Sequence, residues 1–330
     1  MRIFSGIQPT GQKHLGNYIG AIRQFVEGQD RGEAIYCIVD LHAITVPFRP
    51  DELRDNVLDT AAVLLAAGLE PERGRCILFR QSDVREHTEL TWLLCAVTAH
   101  GDLNRMTQFK EKSAKQRELV SAGVFLYPVL QAADVLIYRA EEVPVGDDQR
   151  QHVELMRDVA QRFNERFGET LVVPRHRIPE VGARVMDLQS PEQKMSTTFG
   201  TEGGTLQIRD SDDEMRRKIR SAVTDSGREV TRGPGKEGIS NLIEISAVLR
   251  GVSPEDVERE FAGAGYGDFK SAVAETVVEA LAPIRERYLE LVADRAGLER
   301  ILADSADRAR SMASGTLAEV RDRMGVGPPG

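Results

Sequence analysis

Three cysteines in 330 residues are too few and too scattered to build anything. Cys37, Cys76 and Cys95 show no metal-type spacing and each lies among apolar neighbours, so buried free thiols are expected, with neither a disulfide framework nor a zinc site. Long hydrophobic runs are also missing. The longest, residues 61–69 with a glycine inside it, is far short of the roughly 20 apolar residues that span a bilayer, and no membrane partner is expected. The opening MRIFSG has no apolar h-region or small-residue cleavage site, which predicts a cytoplasmic protein. Nor is there an excess of positive charge. With 43 Lys and Arg against 52 Asp and Glu, the net charge of −9 excludes a protein that coats DNA or other nucleic acid by bulk charge. It leaves room for one that grips a single folded RNA through local basic patches. Arg216, Arg217, Lys218 and Arg220, or the arginines of residues 300–323, could serve, or could simply be solvated helix faces. No internal repeat or low-complexity tract is present, and only residues 325–330 read as disordered.

What is present reads as an ordinary globular chain. At 41% hydrophobic and 29% charged, it is long enough for two domains, each with its own core. Strand-like runs at residues 2–7, 34–41 and 76–80 alternate with helical patterns such as Leu53, Val57, Leu58, Ala61, Leu64 and Leu65 after Pro50. That alternation predicts an α/β fold, a parallel sheet with covering helices. Residues 149–167 repeat apolar side chains at Val153, Met156, Val159, Ala160 and Phe163, a further helix. Beyond the glycine-rich residues 200–204 strand signals fade, and helices are predicted at 215–223, 241–249, 271–292 and 299–323. The boundary is expected within 191–204, giving domains 1–195 and 196–330.

Two short motifs carry the chemistry. His14-Leu15-Gly16-Asn17 sits where the first strand turns through Pro9, Thr10 and Gly11 into a helix marked by Ile22, Phe25 and Val26. A phosphate would meet that helix at its positive end. Gly16 lets backbone approach a nucleotide, while His14 and Asn17 offer donors. The second motif, Lys194-Met195-Ser196-Thr197-Thr198, follows in the boundary region.

Together these motifs resemble the two signatures of class I aminoacyl-tRNA synthetases. FSGIQPTG (4–11), HLGNYIGA (14–21), VDLHAIT (39–45), MTQFKEKS (106–113), VPVGDDQRQH (143–152) and ISNL (239–242), in that order, are similar to the tryptophanyl-tRNA synthetases of the bacterial type, over nearly the whole chain. The resemblance implies a Rossmann-like doubly wound catalytic domain, a C-terminal all-helical domain that helps recognise the anticodon of tRNA(Trp), and a homodimer. It further implies activation of L-tryptophan by ATP, with Mg2+ arriving on ATP rather than in a protein-only metal site.

An amino-acid carboxylate is ionised at neutral pH, so its attack on the α-phosphate needs no enzyme base or nucleophile. Catalysis reduces to alignment and to charge stabilisation on the phosphates. On this reading His14 and Asn17 hold phosphates, and Gln8, Pro9, Thr10 and Gly16 cradle the nucleotide. Lys194 brings a point charge on a mobile loop with Ser196, Thr197 and Thr198, while Met195 and Val185 flank adenine. By the resemblance Lys110 lies near the pyrophosphate; as bare sequence it is one charge in a solvated run. Gly146, Asp147 and Asp148 could suggest a magnesium site, but the resemblance gives them the ribose hydroxyls, with Gln149 on the amino group of tryptophan.

Specificity is expected from residues 127–134. Asp134 stands alone among apolar residues and needs a partner if buried, either donors of its own protein or the indole N–H, which can only donate. Phe4, Gly6, His42 and Val145 would line the pocket, and Tyr127 would join Gln149; His42 could equally be a packed core histidine. Three positions depart from the pattern. Asn17 stands where the class signature usually has a second histidine, Thr197 where the other usually has a second lysine, and Gln131 where some relatives carry methionine. Gln131 before the aspartate is also similar to tyrosyl-tRNA synthetases, the nearest rival; a non-charging tryptophan- or adenylate-binding paralogue is the other.

Overall fold

The computed structural model describes residues 1–106, 121–146, 149–177, 184–197 and 200–328. Its sheet has five strands, β1 (Arg2–Ile7), β2 (Glu33–Ile38), β3 (Cys76–Arg80), β4 (Glu142–Pro144) and β5 (Arg175–Arg177), in the order β3-β2-β1-β4-β5. Every pairing is parallel, as the alternation of strand and helix predicts. Successive side chains of a strand point to opposite faces, and here both faces are buried. Ala34, Tyr36, Ile38, Cys76 and Leu78 enter one apolar cluster, and Ile35, Cys37, Ile77 and Phe79 enter another. β2 ends at Ile38, short of the predicted residue 41, because Asp40–Ala43 turns into a single helical turn clipped by Asp40 accepting from Ser82 N and Oγ.

The two clusters divide by sheet face rather than by position in the chain. The first face is covered by Pro50–Ala66, on which Tyr266–Ala293 packs, with Asp212–Arg220 and Glu237–Arg250 packed in turn on that second helix. The opposite face is covered by Glu86–Cys95, Ala122–Leu136, Arg150–Phe167 and the last helix, Arg295–Met324. Each predicted helix is found, with ends set by local chemistry. Pro50 at the first turn with Asp51 and Glu52 starts its helix. Ser211 and Glu214 form a reciprocal cap, which is why the next one begins at Asp212 rather than Met215. Asp294 caps Arg295–Met324, and Gly325 at φ +69 ends it. Arg308 ties that helix to the carbonyls of Pro71 and Cys76, so the open edge of β3 is covered. No helix among the described residues is long and apolar enough to cross a membrane.

Candidate active site

The order of the strands reverses on either side of β1, and in such sheets ligands bind beyond the carboxyl ends at that point. The candidate residues gather there. Gln8, Pro9 and Thr10 follow β1, His42 follows β2, and Val145, Gly146 and Gln149 follow β4. Asp147, Asp148, Thr198 and Lys110 lie outside the described residues.

On the nucleotide side, His14 is extended (φ −120, ψ 170) and opens the turn Leu15–Asn17, which runs directly into a π-helical stretch, Tyr18–Ile22. Wide turns of this kind recur at functional sites. Asn17 Oδ1 accepts from His14 N at 3.1 Å, which orients the amide and leaves its NH2 group to donate. The His14 ring is 6% exposed, and its Nδ1 has no partner. Burial, then Lys13 and Lys194, push its pKa down to about 4, so the ring is neutral at pH 7 and donates through one nitrogen only. Gly16 also makes room for the His14 ring: a Cβ there would lie 3.0 Å from it.

The segments around the two signatures meet. Leu15 N donates to Leu206 O and Ile208 N to Lys13 O, while a Cβ on Gly11 (φ +59) would sit 2.6 Å from Thr197 Oγ1. Lys194 is exposed at the tip of a bridge to Met186. Met195 and Val185 pair through Met195 N to Val185 O, and both side chains are buried in the first cluster. Both are 2% exposed, so little of either side chain is open to a ligand. Two residues to which the sequence reading assigns no role shape this loop. Asp187, 1% exposed, accepts from the backbone of Gln189, Ser190 and Thr201, and a Cβ on Gly204 would lie 1.8 Å from its Oδ1. Asn241, within the ISNL string, both accepts from Met186 N and donates to Met186 O, fastening the loop base to Glu237–Arg250.

On the amino-acid side the hydrogen bonds form a closed set. Asp134 is 1% exposed and sits in Ala122–Leu136, a helix that Pro128 conceals from a sequence reading. Its Oδ1 accepts from Gln81 Nε2 (2.7 Å) and His87 Nδ1 (2.6 Å), and its Oδ2 from His42 Nε2 (2.8 Å). Burial pushes this carboxyl up, but hydrogen bonds from His42 and His87 outweigh it and hold Asp134 ionised, below the usual range. In a neutral His87 ring, Nδ1–H donated to Asp134 leaves Nε2 to accept from the Tyr138 hydroxyl at 2.6 Å. Phe4 stacks on Tyr138 at 5.7 Å. Tyr127 meets the His42 ring edge-on at 6.3 Å and bonds His152 at 2.9 Å, and Gln131 reaches Gln149 at 3.5 Å. Val145 N donates to Arg177 O, and Gly6 is exposed at the strand end, its Cβ direction 3.0 Å from Val39. His42 is thus both packed and part of the site. Gln81, His87 and Tyr138 were not anticipated from sequence.

The basic candidates split. Arg216 forks onto Glu275 and Lys218 is buried on Asp210 and Thr205 O, leaving Arg217 and Arg220 exposed. In the last helix Arg308 and Arg310 hold backbone carbonyls, and Arg321 pairs with Glu89.

The family model for tRNA synthetases class I (W and Y) matches residues 1–282. A tryptophan–tRNA ligase of Leifsonia xyli subsp. xyli is 50% identical over 331 residues, 99% of this chain and 98% of that protein. Among solved structures, a tryptophanyl-tRNA synthetase from Mycoplasma pneumoniae superimposes with a TM-score of 0.87 at 34% identity, covering 99% of this chain and 98% of that one. The Campylobacter jejuni tryptophanyl-tRNA synthetase complexed with ADP and tryptophan gives 0.85 at 34% identity, covering 99% and 100%.

Proposed function

This chain belongs to the class I tRNA synthetases of the W and Y type, and on that premise we propose that it is a tryptophan–tRNA ligase. The tryptophan carboxylate attacks the α-phosphate of Mg-ATP, magnesium pyrophosphate leaves, and a ribose hydroxyl at the 3′ end of tRNA(Trp) then takes the tryptophanyl group from the adenylate as AMP leaves. No step requires a protein base at the α-phosphate, in keeping with a site of neutral His14, the amide of Asn17 and the exposed cation of Lys194.

The observation that carries the tryptophan assignment is Asp134. Its Oδ2 receives one bond and a carboxylate oxygen can take two, so an ionised, prealigned acceptor remains for a donor-only indole N–H. The Leifsonia and Campylobacter relatives, tryptophan enzymes by name, support the same choice over tyrosine.

In this reading residues 1–195 carry activation, while residues 196–330 supply the signature loop and the helices that meet tRNA, with Arg217 and Arg220 as contacts. A homodimer is part of it. Trp92 is 76% exposed on Glu86–Cys95, the helix beside Ala122–Leu136, where Leu126 is also exposed, and a second copy would cover both. In this reading the protein works in the cytoplasm. The test is tryptophan-dependent ATP–pyrophosphate exchange followed by charging of a CCA-anticodon tRNA. Exchange with tyrosine instead, or tryptophan binding without exchange, would replace this reading by one of its two rivals.

A further inference from the structure

Lys13 lies immediately before the first signature, and the chemistry above does not use it. Its side chain is 5% exposed, and its ammonium donates to the carbonyls of Gln8 and Thr10, both at 3.1 Å, and of Gly11 at 3.5 Å. Three backbone carbonyls are weak compensation for so deep a charge, and no carboxylate among the described residues pairs with it directly. The arrangement has a geometric result. With trans peptides throughout, a peptide that points its C=O at the ammonium turns its N–H the opposite way. The N–H groups of Gly11 and Gln12 are thereby directed away from Lys13, and neither is spent on the described protein. Gly11 is also the residue on which Thr197 rests, at the position where the second signature usually has another lysine.

We propose that Lys13 is a positioning residue for the nucleotide: it gathers three carbonyls beneath the turn, presents the N–H groups of Gly11 and Gln12 to ATP phosphates, and provides under the turn a fixed positive charge where Thr197 provides none above it. The inference rests on the ligase reading only for the identity of the nucleotide. Burial lowers the Lys13 pKa to about 8, with Asp59 opposing, so the charge is lost within an accessible range. The groups facing it are Asp59 from Pro50–Ala66, Tyr288 from Tyr266–Ala293 with its hydroxyl on Asp59, Arg209, and His14 next along the chain.

The experiment is calorimetric titration of the full-length protein with a non-hydrolysable ATP analogue and Mg2+, without tryptophan, at about pH 7.5 and about pH 9.5. Wild-type affinity should fall across that range. Lys13→Met should bind the analogue about tenfold more weakly at the lower pH with the KM for tryptophan within about twofold, whereas Lys13→Arg should stay within about threefold of wild type and show no pH dependence. Unchanged affinity in Lys13→Met, or parallel losses for ATP and tryptophan, would overturn the proposal. Should Lys13→Met fail to fold, the wild type and Lys13→Arg decide it alone, since equal pH dependence in both overturns it. A wild type that binds the analogue yet shows no tryptophan-dependent exchange sinks the ligase reading and leaves this one standing.

Discussion

The two halves of the site spend their hydrogen bonds differently. Around Asp134 the donors of Gln81, His87 and His42 are committed to one carboxylate, with Tyr138 behind them, before any ligand arrives. Around His14 the inventory is open: a ring nitrogen without a partner, an amide group free to donate and an exposed lysine. A closed network suits selection of a rigid side chain, because any replacement leaves buried groups unpaired. An open one suits phosphates, whose charge moves during reaction, because donors not yet engaged can strengthen their bonds in the transition state.

Asp134→Ala should break the comparison most severely. It strands three donors in the interior and should cost about 3–5 kcal/mol of folding stability, read from denaturant midpoints, besides about 2–4 kcal/mol of discrimination between tryptophan and phenylalanine in exchange assays. Intact stability would mean the network is not closed. Lys194→Ala should leave stability unchanged but lower kcat for exchange by about 10²–10³, with a much smaller change in the KM for tryptophan. Near-normal exchange would take the second signature out of catalysis.

A smaller effect concerns pH. The pKa of His14 falls from its ordinary 6.5 to about 4 on folding, so this group's contribution to stability is present above pH 6.5 and is lost as pH falls toward 4. Below pH 6.5 the melting temperature should decline less steeply in His14→Asn than in wild type, and exchange should show no His14 limb above about pH 5. Smallest of all is Thr197→Lys. Thr197 is part-exposed, so a lysine can turn outward from Gly11; thermal melts should match wild type within about 1 °C, and exchange should hold or rise.

The open half was the more legible in sequence. Its residues lie in two short strings, one at a strand–turn–helix junction whose letters already describe anion binding. The closed half is assembled from the end of β3, the helix after it and a proline-interrupted helix some 40 residues further on, so Gln81, His87 and Tyr138 carry no local pattern that links them to Asp134. β4 and β5, three residues each, are too short to show strand periodicity. The long helices were legible because their apolar stripes persist for many turns. Which of their cations are free was not, because Arg216 and Lys218 find partners, Glu275 and Asp210, that only the packing brings near.

The helix Arg295–Met324 closes the open edge of β3 and seals one face of a sheet whose first strand begins at Arg2. On a ribosome that geometry imposes an order. A nascent chain holding both signatures complete still exposes an unpaired strand edge and the apolar residues that Ala306, Ala309, Ala313, Leu317 and Val320 are meant to cover, and it waits in that state until residues 295–324 have emerged. The stretch that shields these surfaces from self-association emerges after everything it covers, which makes the half-made protein, rather than the finished one, the natural client of a chaperone.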